Sequence, residues 1–103
     1  MSIKTVDAQM LKGWLEQNEA VLVDVREPAE HASEKIEGAL LLPLAQVCAQ
    51  ALPQHAGKKL VIYCRSGMRS HNACQRLCLE DPSLEVYNLE GGINAWAAAG
   101  QSV

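Results

Sequence analysis

Two runs of consecutive apolar residues, Val21-Leu22-Val23 and Leu60-Val61-Ile62-Tyr63, constrain the fold of this chain more than any other feature. A strand with one wet face alternates apolar and polar side chains, whereas a short unbroken apolar run marks a strand covered on both faces. Such strands belong to parallel sheets, whose crossover helices coat both sides. Further short runs at residues 3–6, 39–42 and 85–88 bring the expected strands to five, with residues 21–25 and 60–63 at the centre. A chain of 103 residues has room for one core, so residues 1–103 are expected to form one domain with one active site.

Helical patterns separate the runs. Asp7 is an N-cap candidate for a helix burying Met10, Leu11, Trp14 and Leu15. Leu44, Val47, Cys48, Ala51 and Leu52 have the spacing of a second helix, stopped near Pro53 because proline cannot continue the ladder. A third, over residues 69–80, buries Ala73, Cys74, Leu77 and Cys78, and the last carries Ile93, Trp96 and Ala97 before Gly100. Strands alternating with helices predict a three-layer α/β/α fold on a largely parallel, five-stranded sheet.

The composition, 49% hydrophobic and 20% charged, is that of an ordinary globular protein. A formal net charge of -3 gives no general attraction to nucleic acid or to an anionic membrane, so a bound anion must be captured by local donors. The start lacks the apolar run of a signal peptide and no stretch is long enough to cross a bilayer, so a cytoplasmic location is expected. In that setting the four cysteines are expected to be free thiols. Cys64, His71, Cys74 and Cys78 lack the paired C-x2-C knuckles of a zinc site, and neither a metal nor another cofactor is expected.

The cysteines divide into two kinds. Cys48, Cys74 and Cys78 fall on apolar stripes, where a small buried hydrophobe fits. Cys64 instead ends the most apolar strand and opens Cys64-Arg65-Ser66-Gly67-Met68-Arg69, which runs straight into a helix. Ligands of open α/β sheets bind beyond the carboxyl ends of the strands, where this residue lies. A glycine at the bend lets the backbone N–H groups curl inward, and the helix start adds further donors. With Arg65 and Arg69 nearby in sequence, these donors favour a thiolate over a thiol of ordinary pKa about 8.5.

The segment Cys64-Arg65-Ser66-Gly67-Met68-Arg69-Ser70 closely resembles the active-site loop of the rhodanese homology family, C-R-x-G-x-R-S. The likeness extends over nearly the whole chain: Val21-Leu22-Val23-Asp24-Val25-Arg26-Glu27 is similar to the family's first central strand, and Gly91-Gly92-Ile93-Asn94-Ala95-Trp96 to its closing helix. The chain departs from the family at Glu34-Lys35-Ile36-Glu37-Gly38-Ala39, where the usual segment is G-H-I-x-G-A, and at His31, where an aromatic commonly follows the acidic residue.

The resemblance implies a rhodanese-like fold and a sulfurtransferase. Cys64 would take the outer sulfur of thiosulfate or a similar anion as a persulfide and pass it to a thiol, a protein acceptor or cyanide. Substrate binding would fall to Arg65, Ser66, Gly67, Met68, Arg69 and Ser70, with the loop N–H groups holding the sulfur and Arg65 orienting the donor's oxyanion; Arg69 is open between binding and bracing. Asp24 and Arg26 are expected to pair with backbone or neighbouring charges near a strand end, a structural role, and His71 to face solvent. Two rivals stand beside this reading. Phosphatases and arsenate reductases of related fold use C-x5-R where this chain has C-x4-R, a tighter loop better suited to one sulfur than to a phosphoryl group. The other rival is a non-enzymatic sulfur carrier or protein-interaction domain.

Overall fold

A computed structural model describes residues 2–103. Five strands, β1 (Ser2–Val6), β2 (Ala20–Asp24), β3 (Leu40–Leu41), β4 (Lys59–Tyr63) and β5 (Glu85–Leu89), form one sheet in the order β1-β5-β4-β2-β3. Every neighbouring pair is parallel, so the sheet is parallel throughout. The two unbroken apolar runs occupy β4, the middle strand, and β2 beside it.

Among the described residues four α-helices complete the layers: α1 (Ala8–Glu16), α2 (Pro28–Ser33), α3 (Met68–Glu80) and α4 (Gly92–Ala98). Successive side chains of β4 point to opposite faces, and each face has its own cluster. Leu60, Ile62 and Cys64 pack with Val23, Val86 and the buried stripe of α3, formed by Ala73, Cys74, Leu77 and Cys78. Val61 and Tyr63 pack on the other face with Leu22, Leu11 of α1, and Ile93 and Trp96 of α4. Each fully buried Val, Leu or Ile contributes about 1.5–3 kcal/mol, so β4 with both faces covered anchors the fold and fixes where its C-terminal end lies. No helix among the described residues is long and apolar enough to cross a membrane.

Helix α1 starts as its sequence predicts, with Asp7 Oδ1 accepting from the Met10 N–H at 2.8 Å. Met10 itself is 55% exposed, contrary to expectation, because Leu11 takes the inward position of that turn. The second expected helix is absent: residues 44–52 hold two 3₁₀ turns, Leu44–Gln46 and Ala49–Ala51, with Val47 and Cys48 extended between them. A three-residue period places Leu44 and Val47 on one side almost as well as an α-helix does, which is why the pattern misleads. Side chains of α3 stabilise the break: Arg76 donates to the Leu44 carbonyl at 2.9 Å, and Glu80 accepts from the Ala49 N–H at 2.7 Å. Cys48 therefore lies on no helix and is only partly buried. Helix α2, in contrast, was given by no apolar stripe, and none of its residues is buried.

Candidate active site

Strand β4 ends at Tyr63 and delivers Cys64 to the carboxyl edge of the sheet. The chain then bends through Arg65 and Ser66 to Gly67, whose φ of 109° is open to glycine at little cost, and enters α3 at Met68. The Gly67 N–H donates to Cys64 Sγ at 3.1 Å, and the N–H groups of Ser66 and Ser70 converge on the same sulfur. The amides point inward because the carbonyls are held elsewhere. Ile93 N–H donates to the Cys64 carbonyl at 2.9 Å, and Asn94 N–H to the Arg65 carbonyl at 3.1 Å, both from the first turn of α4. That turn approaches so closely that a Cβ on Gly92 would stand 2.4 Å from both carbonyl oxygens.

Cys64 is only 1% exposed and is part of the core cluster facing α3. Burial works against its anion, but the Ser70 hydroxyl and the N–H groups of Ser70, Gly67 and Ser66 outweigh it and hold the thiol below its ordinary range. Cys74, buried in the same cluster, has burial without such donors and is pushed up to about 12. Two buried thiols of one cluster are thus set apart by hydrogen bonding. All four cysteines are free thiols.

The loop arginines are not aimed at the sulfur. Arg69 forms two hydrogen bonds to Glu30 of α2, Nη1 to Oε1 at 2.8 Å and Nη2 to Oε2 at 3.0 Å. Arg65 is more exposed and its Nε lies 3.6 Å from Glu30 Oε2. Ser66 and Met68 face solvent, Met68 at 81% exposure, while Ser70 is fully buried against the sulfur at 3.4 Å. His71 is exposed, as its position in the first turn implied.

The arginine pairing, ahead of an opposing burial effect, holds the Glu30 carboxyl down to about 2, against an ordinary 4.5. A depressed carboxyl stabilises the fold fully above its unfolded pKa and loses that contribution as pH falls through the folded value. Glu30→Gln is therefore expected to cost about 1 kcal/mol at neutral pH, the scale of a partly exposed ion pair. The deficit should shrink between pH 4.5 and about 2, as read by urea denaturation across that range. An unchanged deficit at the acid end would show that the carboxylate charge is not the cause.

Asp24 and Arg26 pair as their sequence position predicts, with Arg26 Nε and Nη2 donating to Asp24 at 2.9 and 2.7 Å. His31 Nδ1 at 2.9 Å and the Tyr63 hydroxyl at 3.1 Å bind the same carboxylate. Burial works against the Asp24 anion, yet Arg26 and His31 hold its pKa below the ordinary value. His31 is thus absorbed into a buried polar network on the face opposite Cys64, and Lys35 is exposed.

Two site residues were missed from sequence. Glu30 gathers both loop arginines; the signal was Glu27-Pro28-Ala29-Glu30, with proline at the first helical position and Glu30 accepting from the Glu27 N–H at 3.0 Å. Asn88, 8% exposed on β5, bridges the loop: its Nδ2 donates to the Gly67 carbonyl at 3.0 Å and its Oδ1 accepts from the Ser70 hydroxyl. The signal there was one amide at an inward position between Val86 and Leu89 of the strand.

An open parallel sheet with a cysteine cradled by main-chain donors beyond its middle strand defines a class of α/β domains built around a stabilised thiol anion. The chain belongs to the rhodanese-like domain family, whose model matches residues 7–99. A protein named sulfurtransferase from Allochromatium vinosum is 40% identical over 99 residues, covering 95% of this chain and 92% of that protein. An uncharacterized protein of Synechocystis is 42% identical over 97 residues, and there the match takes in 93% of this chain but only 53% of the relative's length. Among solved structures, a rhodanese-related protein from Thermoplasma volcanium superposes with a TM-score of 0.78 at 25% identity, covering 95% of this chain and 94% of that one. A Rhodopseudomonas palustris protein of unknown function, described as a possible tyrosine phosphatase, gives 0.82 at 28% identity over 98% of this chain and 84% of its own.

Proposed function

We propose that residues 1–103 act as one sulfurtransferase unit in which Cys64 carries a sulfur atom as a persulfide. The observation that supports this best is the convergence of the Ser66, Gly67 and Ser70 N–H groups on a buried sulfur with a depressed pKa. Thiosulfate is the donor we assign. The Cys64 thiolate attacks its outer sulfur, an S–S bond forms as the donor's S–S bond breaks, and sulfite leaves with the electron pair. The persulfide anion remains on the protein. In the second half-reaction an acceptor thiolate, or cyanide, attacks the outer sulfur and Cys64 departs as thiolate. Charge balances in both halves without a proton shuttle, so no catalytic histidine is required.

In this reading the loop from Arg65 to Ser70 stabilises charge on sulfur and the exposed Arg65 attracts the donor's sulfonate end. The paired hydrogen bonds to Glu30 favour Arg69 as a brace of the loop. The phosphatase reading draws on the Rhodopseudomonas neighbour, but one residue fewer between Cys64 and Arg69 leaves a smaller donor ring than a phosphoryl group needs.

Initial rates with thiosulfate and a varied thiol or cyanide acceptor are expected to give parallel double-reciprocal lines, the mark of two-step covalent transfer. p-Nitrophenyl phosphate should not be turned over. Phosphate release without sulfur transfer would overturn the proposal, and a persulfide that forms without turnover would identify a carrier in place of an enzyme.

A further inference from the structure

The Ser70 hydroxyl carries one proton and faces two acceptors, Cys64 Sγ at 3.4 Å and Asn88 Oδ1 within hydrogen-bond distance. Which acceptor receives it follows from the far side of Asn88. The Gly67 carbonyl, which also accepts from the His71 N–H at 3.1 Å, can only accept, so the Asn88 NH2 group must face it. The amide oxygen is then turned to Ser70 and can only accept in its turn. While Cys64 is a neutral thiol, the one consistent arrangement is a chain: the thiol S–H faces Ser70 Oγ, and the Ser70 hydroxyl donates to Asn88.

We propose that Asn88 is a positioning residue that holds the Ser70 proton away from the sulfur in the thiol state and yields it when the sulfur becomes an anion. A charge-assisted hydrogen bond is roughly twice as strong as a neutral one, so a thiolate draws the hydroxyl to itself and leaves Asn88 Oδ1 without its donor. Once Cys64 carries a second sulfur, the charge lies on the outer atom and the hydroxyl returns to Asn88. The loop thereby has two hydroxyl orientations, one for the bare anion and one for the protonated or substituted sulfur. The other titratable or charged groups around Cys64 are Arg65 and Arg69, both engaged by Glu30, and the buried Cys74 thiol of α3. Asp24, Arg26 and Tyr63 interact on the opposite face, and the first turn of α4 presents main-chain N–H groups.

The inference rests on Cys64 as the anion of the site, and its test reads acidity without turnover, so that failure here leaves sulfur transfer standing. Removing the competing acceptor by Asn88→Ala should make Cys64 more acidic. Its iodoacetamide alkylation rate below the pKa is expected to rise about three- to tenfold, the equivalent of half to one pH unit. In a Ser70→Ala background the same change should bring no rise. A fall in acidity with Asn88→Ala, or an equal change in both backgrounds, would mean that Asn88 only braces Gly67 and would overturn the proposal. Should the variants not fold, the wild-type protein supplies the readout: the Asn88 side-chain carbonyl 13C resonance is expected to move upfield as Cys64 ionises and to return when Cys64 is S-methylated. A resonance that stays fixed through the Cys64 titration sinks the idea equally.

Discussion

Cys64→Ser is expected to abolish sulfur transfer, lowering kcat/KM by on the order of 10³-fold or more, the usual consequence of removing a covalent nucleophile. The serine hydroxyl would sit among the same donors, yet an oxygen there is neither ionised near neutral pH nor able to hold a sulfane sulfur. The fold should survive, since a small side chain replaces another in a site already rich in hydrogen bonds. Intact-mass analysis after thiosulfate treatment should show a one-sulfur adduct on the wild type and none on the variant. The other thiols give the comparison its force. Cys74 and Cys78 are buried, Cys74 with a pKa near 12, and only Cys48 is partly exposed. An adduct that forms equally on both proteins would move the nucleophile away from Cys64, with Cys48 the first to examine.

Gly92→Ala should be the most damaging single methyl that can be added near the site. The new Cβ would stand 2.4 Å from the carbonyl oxygens of Cys64 and Arg65, and neither backbone can yield without surrendering the hydrogen bonds from Ile93 and Asn94. Gly92 also has a φ of 59°, in the region that costs a side chain about 1–2 kcal/mol. Overpacking against backbone raises the total to on the order of 4 kcal/mol, measurable as a fall in the urea midpoint. Gly67→Ala is the control: its Cβ would meet nothing nearer than the Gly91 nitrogen at 3.6 Å, so only the dihedral penalty of about 1–2 kcal/mol applies. Equal losses in the two variants would show that the contact of α4 with the loop is not what holds it.

The sheet was legible because Val21-Leu22-Val23 and Leu60-Val61-Ile62-Tyr63 are apolar without interruption, as strands covered on both faces should be. Both fall within a residue of β2 and β4. Helix α3 was legible from Ala73, Cys74, Leu77 and Cys78, whose spacing only an α-helical stripe satisfies. Periodicity fails where it has nothing to record or too much to choose from. Helix α2 buries no side chain and so leaves no stripe, and residues 44–52 carry a spacing that two 3₁₀ turns share with one α-helix. The loop at Cys64 could be located from the strand end, Gly67 and the helix that follows. That Glu30, Asn88 and Gly92 meet this loop could not be read, because they lie far from it along the chain and reach it only through the topology of the sheet.

The turn that fastens the Cys64 and Arg65 carbonyls comes 28 residues after the cysteine in the order of synthesis. At about 5–20 residues per second, a ribosome needs roughly one to six seconds to supply it. Until then the nascent segment lacks the clasp that fastens those two carbonyls. The loop geometry at the cysteine therefore depends on the late part of the chain, and a chain cut short before α4 is expected to leave those two carbonyls unfastened.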